Sequence, residues 1–146
     1  MNEYMNIALL EAKKSLKYGD VPVGAIIIKN GKIIARAHNE KEKKKSATRH
    51  AEIIVIEKAC KKLKTWHLDD CDLYITLEPC MMCCGAIIQS RIKNIYYATE
   101  SKKFGYVESI NELFNDRNNH IPNVYSGLEK EKSAKLLIDF FKDKRD

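Results

Sequence analysis

Two short segments carry residue types suited to metal and proton chemistry: His50-Ala51-Glu52 and Pro79-Cys80-Met81-Met82-Cys83. Either one alone says little. A His-x-Glu pair arises by chance in many helices, and a Pro-Cys-x-x-Cys serves a redox dithiol or half of a zinc finger equally well. Their placement says more, because each stands where a strand or loop enters a helix. There the unpaired amides and the helix dipole favour thiolate and carboxylate. Cys80 and Cys83 are three apart and project from one side of a first helical turn. His50 and Glu52 are two apart and would diverge by about 200° along a regular helix. They share one site only at a helix mouth, with His50 at its edge and Glu52 just inside. One imidazole and two thiolates suit Zn²⁺. Three protein ligands leave the fourth tetrahedral position to water, as in a catalytic zinc, and the ion brings the pKa of that water to about 7. Glu52, near the metal but not bound to it, is then the proton carrier.

The flanking elements must position these residues. Met5, Ala8, Leu9, Ala12 and Leu16 repeat at helical spacing, and Gly19-Asp20-Val21-Pro22 ends that helix. Val23 to Ile28 is a continuous apolar, β-branched run, expected of a strand covered on both faces. Asn30-Gly31 supplies a two-residue hairpin turn, and Lys32 to His38 is the returning strand. Lys41 to Lys45 reads as a charged loop, followed by a largely buried helix from Ala51. Leu73 to Leu77 and Asn94 to Ala98 are strands around a short buried helix, Met81 to Ser90, with a short fifth strand at Asn123 to Tyr125. A last helix carries Leu136, Leu137, Phe140 and Phe141 on one side. A hairpin followed by alternating helices and strands predicts an α/β fold: three α/β/α layers around a mixed sheet of about five strands.

With 146 residues, 45% hydrophobic and 32% charged, the chain reads as one globular domain over 1–146. No apolar run reaches the ~18 residues of a membrane span, and the N-terminus lacks the features of a signal peptide, so the cytoplasm is expected. Five cysteines, four of them between Cys71 and Cys84, argue for a metal or catalytic site and against disulfides. A net charge of +6 favours a polyanionic partner, although a bias toward Lys, Ile and Asn can also reflect genome composition.

At these motifs the chain resembles the zinc-dependent cytidine and adenosine deaminase superfamily, and within it bacterial tRNA adenosine deaminases of the TadA type. The likeness spans nearly the whole chain. Val21-Pro22-Val23-Gly24-Ala25 resembles the family's first strand, and Asn39 precedes His50 by eleven residues, as the family's base-contacting Asn does. Thr76-Leu77-Glu78-Pro79-Cys80 and Gly85-Ala86-Ile87 continue it, as do Asn119-His120 and Asp139-Phe140-Phe141 with Lys144-Arg145. The resemblance implies hydrolytic deamination of adenosine to inosine at the anticodon wobble position of tRNA, in a homodimer with one Zn²⁺ per subunit. It further implies that Asn39 and Ala51 bind the base, and that His120, Phe141, Lys144 and Arg145 meet the RNA; basic charge near the presumed active-site entrance adds Lys103 to that set. The alternatives are a small-molecule deaminase acting on guanine, cytosine or a nucleoside, and a non-catalytic zinc module, which the presence of Glu52 disfavours.

Several positions depart from the family pattern. Ser46-Ala47-Thr48-Arg49 replaces Asp-Pro-Thr-Ala, Ser101 replaces an Asp that touches the substrate backbone, Glu108 replaces a Gly, and Ile121 follows His120 where a basic residue is common. These changes bear on substrate recognition and leave the zinc motifs intact. Outside the motifs, Cys84 and Cys60 read as small buried side chains, and Cys71 has no motif partner. Trp66 and His67 read as loop packing, Phe140 and Phe141 first of all as core, and Glu78 as a backbone holder rather than an acid. Lys41 to Lys45, just ahead of the active-site helix, is placed to meet phosphate.

Overall fold

This computed structural model describes residues 2–145, with side chains up to residue 143. Helix α1, Glu3–Lys14, starts where the Asn2 side chain accepts from the Met5 amide at 2.9 Å, and it buries Met5, Ala8, Leu9 and Ala12 on one face. The chain then tightens into a 3₁₀ turn over Ser15–Tyr18, and Gly19 ends it at φ 73°. That tightening turns Leu16 outward, so the fifth residue of the expected apolar face is exposed.

Strands β1, Gly24–Lys29, and β2, Lys32–His38, pair antiparallel through the Asn30-Gly31 turn, where both residues have positive φ. A short helix α2, Lys41–Lys44, occupies the segment expected to be a loop. The buried Asp20 carboxylate accepts from the amides of Glu42 at 2.8 Å and Lys43 at 3.3 Å and closes this turn from 22 and 23 residues upstream. Then follow α3, Ala51–Leu63; β3, Cys71–Leu77; α4, Met81–Ser90; β4, Asn94–Thr99; β5, Asn123–Ser126; and α5, Lys130–Arg145.

The sheet order is β2-β1-β3-β4-β5; β1 is antiparallel to both neighbours, and β3, β4 and β5 are parallel. The sheet is therefore mixed and five-stranded, as expected. Its period-2 alternation divides the core. Ala25, Ile27, Leu73, Ile75, Ile95 and Tyr97 meet α3 and α4 on one face. Ile26, Ile28, Tyr74 and Ala98 meet α1 on the other. This two-sided burial is why β1 is apolar at successive positions.

Tyr74, Tyr96 and Tyr125 stand in register on adjacent strands and stack with ring centroids 4.4 and 4.8 Å apart. Helix α5 anchors through Ser133, whose hydroxyl donates to the Thr76 carbonyl at 2.6 Å. Farther along, Ile138 is 65% and Phe141 45% exposed, so Phe141 is not a core residue; Phe140 meets it edge-on at 5.2 Å. The side chains of Lys144 and Arg145 lie outside the described residues.

At Gly24, β1 lies directly against the backbone of α1. A Cβ there would stand 2.0 Å from the Ala8 carbonyl oxygen and 2.5 Å from the Ala12 nitrogen, both fixed helix backbone. Gly24→Ala should lower unfolding stability by about 3 kcal/mol in denaturant titration, because the helix must shift as a whole.

Candidate active site

Both site motifs sit at helix mouths. His50 caps α3 with extended backbone (φ −79°, ψ 149°) and Cys80 caps α4 likewise (φ −78°, ψ 178°). Strand β3 delivers Glu78-Pro79-Cys80 beyond its carboxyl end, and the Asn39 side chain draws in the opposite mouth. Its Oδ1 accepts from the Ala51 amide at 2.8 Å, while its Nδ2 donates to the Val21 carbonyl at 3.1 Å. The Ser15 hydroxyl in turn holds the Asn39 carbonyl at 3.0 Å. The two residues expected to bind the base are thus joined to each other.

His50 Nδ1 lies 3.7 Å from Cys80 Sγ and 3.6 Å from Cys83 Sγ, and all three donor atoms fall within 4.8 Å of one another. Tetrahedral zinc with Zn–N and Zn–S bonds of ordinary length separates such atoms by about 3.6 Å. The donor set and its spacing therefore fit zinc. Cys84 is buried outside the cluster and donates to the Pro79 carbonyl at 3.6 Å. All five cysteines are free thiols.

Charge at the site is tightly correlated. Hydrogen bonds from Cys83 and then His50 bring the Cys80 thiol down to about 4 against the opposing effect of burial. The Cys83 thiol is pushed up by its bond to Cys80 and by burial, and the His50 imidazole is raised chiefly by Cys80. A divalent cation among these donors displaces their shared protons. Glu52, 4% exposed, is raised to about 7 by burial. A carboxyl of that pKa accepts and returns a proton at neutral pH, as a shuttle requires.

Around the mouth, α2 brings Lys41 close enough to His50 to oppose its protonation. Lys43 Nζ lies 4.8 Å from the centroid of the Tyr18 ring. Residues 101–109 approach from the other side: Gly105 forms an isolated bridge with Cys80, and the Tyr106 amide donates to the Pro79 carbonyl at 2.9 Å. Lys103 is exposed on this segment.

Glu78 does hold backbone. Burial raises its carboxyl, but the Ser109 hydroxyl and the amides of Glu108, Ser109 and Ser101 outweigh burial and keep it below its ordinary value. Helix α5 runs alongside α1: Lys132 bonds Asn6 at 3.1 Å, and Asp139 lines the same groove as Lys13. Near the end of α5, the exposed Phe141 lines a shallow surface hollow with Leu137, Ile138 and Lys142.

His120 is not brought to the cluster. Its Nε2 lies 2.7 Å from the Ile92 carbonyl, ahead of β4, whereas Cys80 follows the far end of parallel β3, about 20 Å away by strand length. Asp20 and Tyr97 are the supporting residues that spacing did not reveal, since neither belongs to a repeat or motif. The hydroxyl of buried Tyr97 donates to the Glu108 carboxylate.

A three-layer fold with a His-Cys-Cys cluster beside a buried glutamate defines a deaminase, and the family model for MafB19-like deaminases matches residues 1–145. The chain belongs to the family of tRNA-specific adenosine deaminases. It is 43% identical to the tRNA-specific adenosine deaminase of Bacillus subtilis (strain 168), over 97% of this chain and 89% of that one. A solved structure from work on A-to-I editing by tRNA:A34 deaminases at the wobble position of transfer RNA superposes with a TM-score of 0.89. It is 42% identical and covers 92% of this chain and 98% of its own. Guanine deaminase from Bacillus subtilis is also 42% identical, but over 68% of this chain and 66% of its own, with a TM-score of 0.64.

Two outcomes test the site. Glu52→Ala and Cys84→Ala should retain stoichiometric zinc by metal analysis while Cys83→Ala loses it; an empty Cys84→Ala protein would reassign the ligand. In metal-free protein, Glu52 is protonated when folded and ionised when unfolded between pH 4.5 and about 7. The unfolded chain then binds fewer protons, so this group's contribution to stability falls as pH rises through that window. Relative to Glu52→Gln, the native sequence should lose about 1 kcal/mol per pH unit there in chemical denaturation. A flat difference would contradict the assignment.

Proposed function

We propose that this protein hydrolytically deaminates adenosine to inosine in tRNA, at the wobble position of the anticodon loop. The observation that carries the reading is a buried carboxyl with a pKa near 7 beside three donors at zinc spacing, in a chain of this family.

His50 Nδ1, Cys80 Sγ and Cys83 Sγ would hold one zinc per subunit. When bound, zinc brings the pKa of a water to about 7 and so makes a nucleophile available at neutral pH. Glu52 takes the proton released there, gives it to N1 of the adenine, and passes the next to the departing ammonia. Asn39 and Ala51, already joined at the α3 mouth, are the polar edge against which the base is oriented. A site set at two helix mouths admits a base only after it leaves its stack, which favours an unpaired loop adenosine over duplex.

Lys41, Lys43, Lys44 and Lys45 on one side of the mouth and Lys102 and Lys103 on the other are exposed and suited to phosphate. Phe141 and the terminal Lys144 and Arg145 extend this surface in our reading, as does His120 at its remote position. We place the enzyme in the cytoplasm as a homodimer of one deaminase domain over 1–146. Among the described residues no helix is long and apolar enough to cross a membrane.

The guanine deaminase likeness supports a second reading, a small-molecule deaminase with the same metal core. Ammonia release by purified protein from tRNA, free adenosine, guanine and cytosine separates the two. On the tRNA reading, turnover at subsaturating RNA falls steeply with salt, because each neutralised phosphate releases counterions. Lys144→Glu with Arg145→Glu should keep fold and zinc yet lose tRNA affinity. Brisk turnover of guanine or cytosine with none on tRNA would establish the small-molecule reading instead.

A further inference from the structure

The Glu78 carboxylate has more partners than a backbone brace requires. Its Oε1 accepts from the Ser101 amide at 3.0 Å and from the Ser109 hydroxyl. Its Oε2 accepts from the amides of Val107 at 3.1 Å, Glu108 at 2.8 Å and Ser109 at 3.0 Å. All five donors come from one segment, more than twenty residues away in the chain. With both oxygens saturated and the side chain 2% exposed, Glu78 cannot exchange protons with a substrate.

Two independent contacts close the same segment. A Cβ on Gly105 would stand 2.3 Å from Glu78 Oε1 and 2.6 Å from Oε2, so the chain passes where only glycine fits. The buried Tyr97 hydroxyl donates to Glu108, so that residue is held by its amide on Glu78 and by its carboxylate on β4. Between these fixed points, Lys102, Lys103 and Phe104 are exposed, and Gly105 bridges Cys80.

We propose that Glu78 is a positioning residue for RNA recognition: its carboxylate folds residues 101–109 into a fixed collar that holds Lys102 and Lys103 at the rim of the catalytic mouth. The inference rests on the tRNA reading above. A collar already ordered in the free protein loses little conformational freedom on binding. Phosphate contacts from its lysines act alike on bound substrate and transition state, so loosening the collar raises KM and spares kcat.

The test is a double-mutant cycle on zinc-loaded enzyme with tRNA. Glu78→Gln turns an amide donor toward the segment's own donors and should raise KM about ten-fold with kcat within about two-fold. Lys102→Ala with Lys103→Ala should act similarly, and the combined variant should be no worse than either alone, since one change acts through the other. The salt slope of tRNA binding should drop by about 0.7–0.9 for each phosphate that the collar no longer neutralises.

Independently of substrate, amide hydrogen exchange at residues 101 and 107–109 should speed up in Glu78→Gln. If that variant does not fold, Gly105→Ala forces the segment and the Glu78 carboxylate apart without changing the identity of Glu78, and should give the same KM and exchange changes. Multiplicative KM effects, a loss confined to kcat, unchanged exchange, or loss of zinc from Glu78→Gln would each overturn the positioning role. Native protein that releases no ammonia from tRNA would instead sink the tRNA reading, and the lysines' role with it.

Discussion

Two helix mouths have to open toward one another so that an imidazole and two thiols stand about 3.6 Å apart, as zinc bond lengths require, and much of the surrounding architecture serves that requirement. A helix start is the one place where residues two apart can face a single site, which is why His50 and Glu52 straddle the first residues of α3. The same local geometry puts Cys80 at the cap of α4 and Cys83 one turn inside. Neither mouth is held by its own helix. Asn39, at the end of β2, ties the Ala51 amide to the Val21 carbonyl, and the Glu78-Pro79 segment leaving β3 fixes where α4 begins.

Burial at the mouths sets the electrostatics. Three donors in close contact cannot all keep their protons or all lose them, and the result is a depressed Cys80 beside a raised Cys83. Desolvation moves Glu52 the other way, to where it can both accept and release a proton at neutral pH. Glu78, just ahead of Cys80 in the chain, is as buried yet stays ionised, because five donors surround it. Two buried glutamates thus take opposite roles through their hydrogen-bond partners.

Most of this is legible in the sequence wherever the signal is local. The Asn30-Gly31 turn, the apolar run of β1, the helical repeat of α3 and the paired motifs each follow from neighbouring residues, and the structure reproduces their order and type. What escapes a sequence reading depends on contacts between distant segments. Helix α2 reads as a charged loop because its cap, Asp20, lies upstream. Leu16 fits a helical face that ends one turn early in a 3₁₀ turn. Phe141 shares its spacing with residues that do pack, and only the overhang of α5 leaves it exposed. His120 has no neighbour in sequence that could show it sits at the opposite end of the strands from Cys80.

Three of the positions expected to depart from the family pattern have a partner inside the chain. The Arg49 guanidinium bonds Glu57 at 2.9 Å along α3, so its charge is partly answered before any substrate arrives. Ser101 contributes its amide to Glu78, a bond that any residue but proline can make. Glu108 accepts from the hydroxyl of buried Tyr97, which ties it to β4. None of these side chains is among the donors of the metal cluster. The metal cluster thus stands on two helix caps, while these three positions lie outside it and are tied into the chain by their own hydrogen bonds.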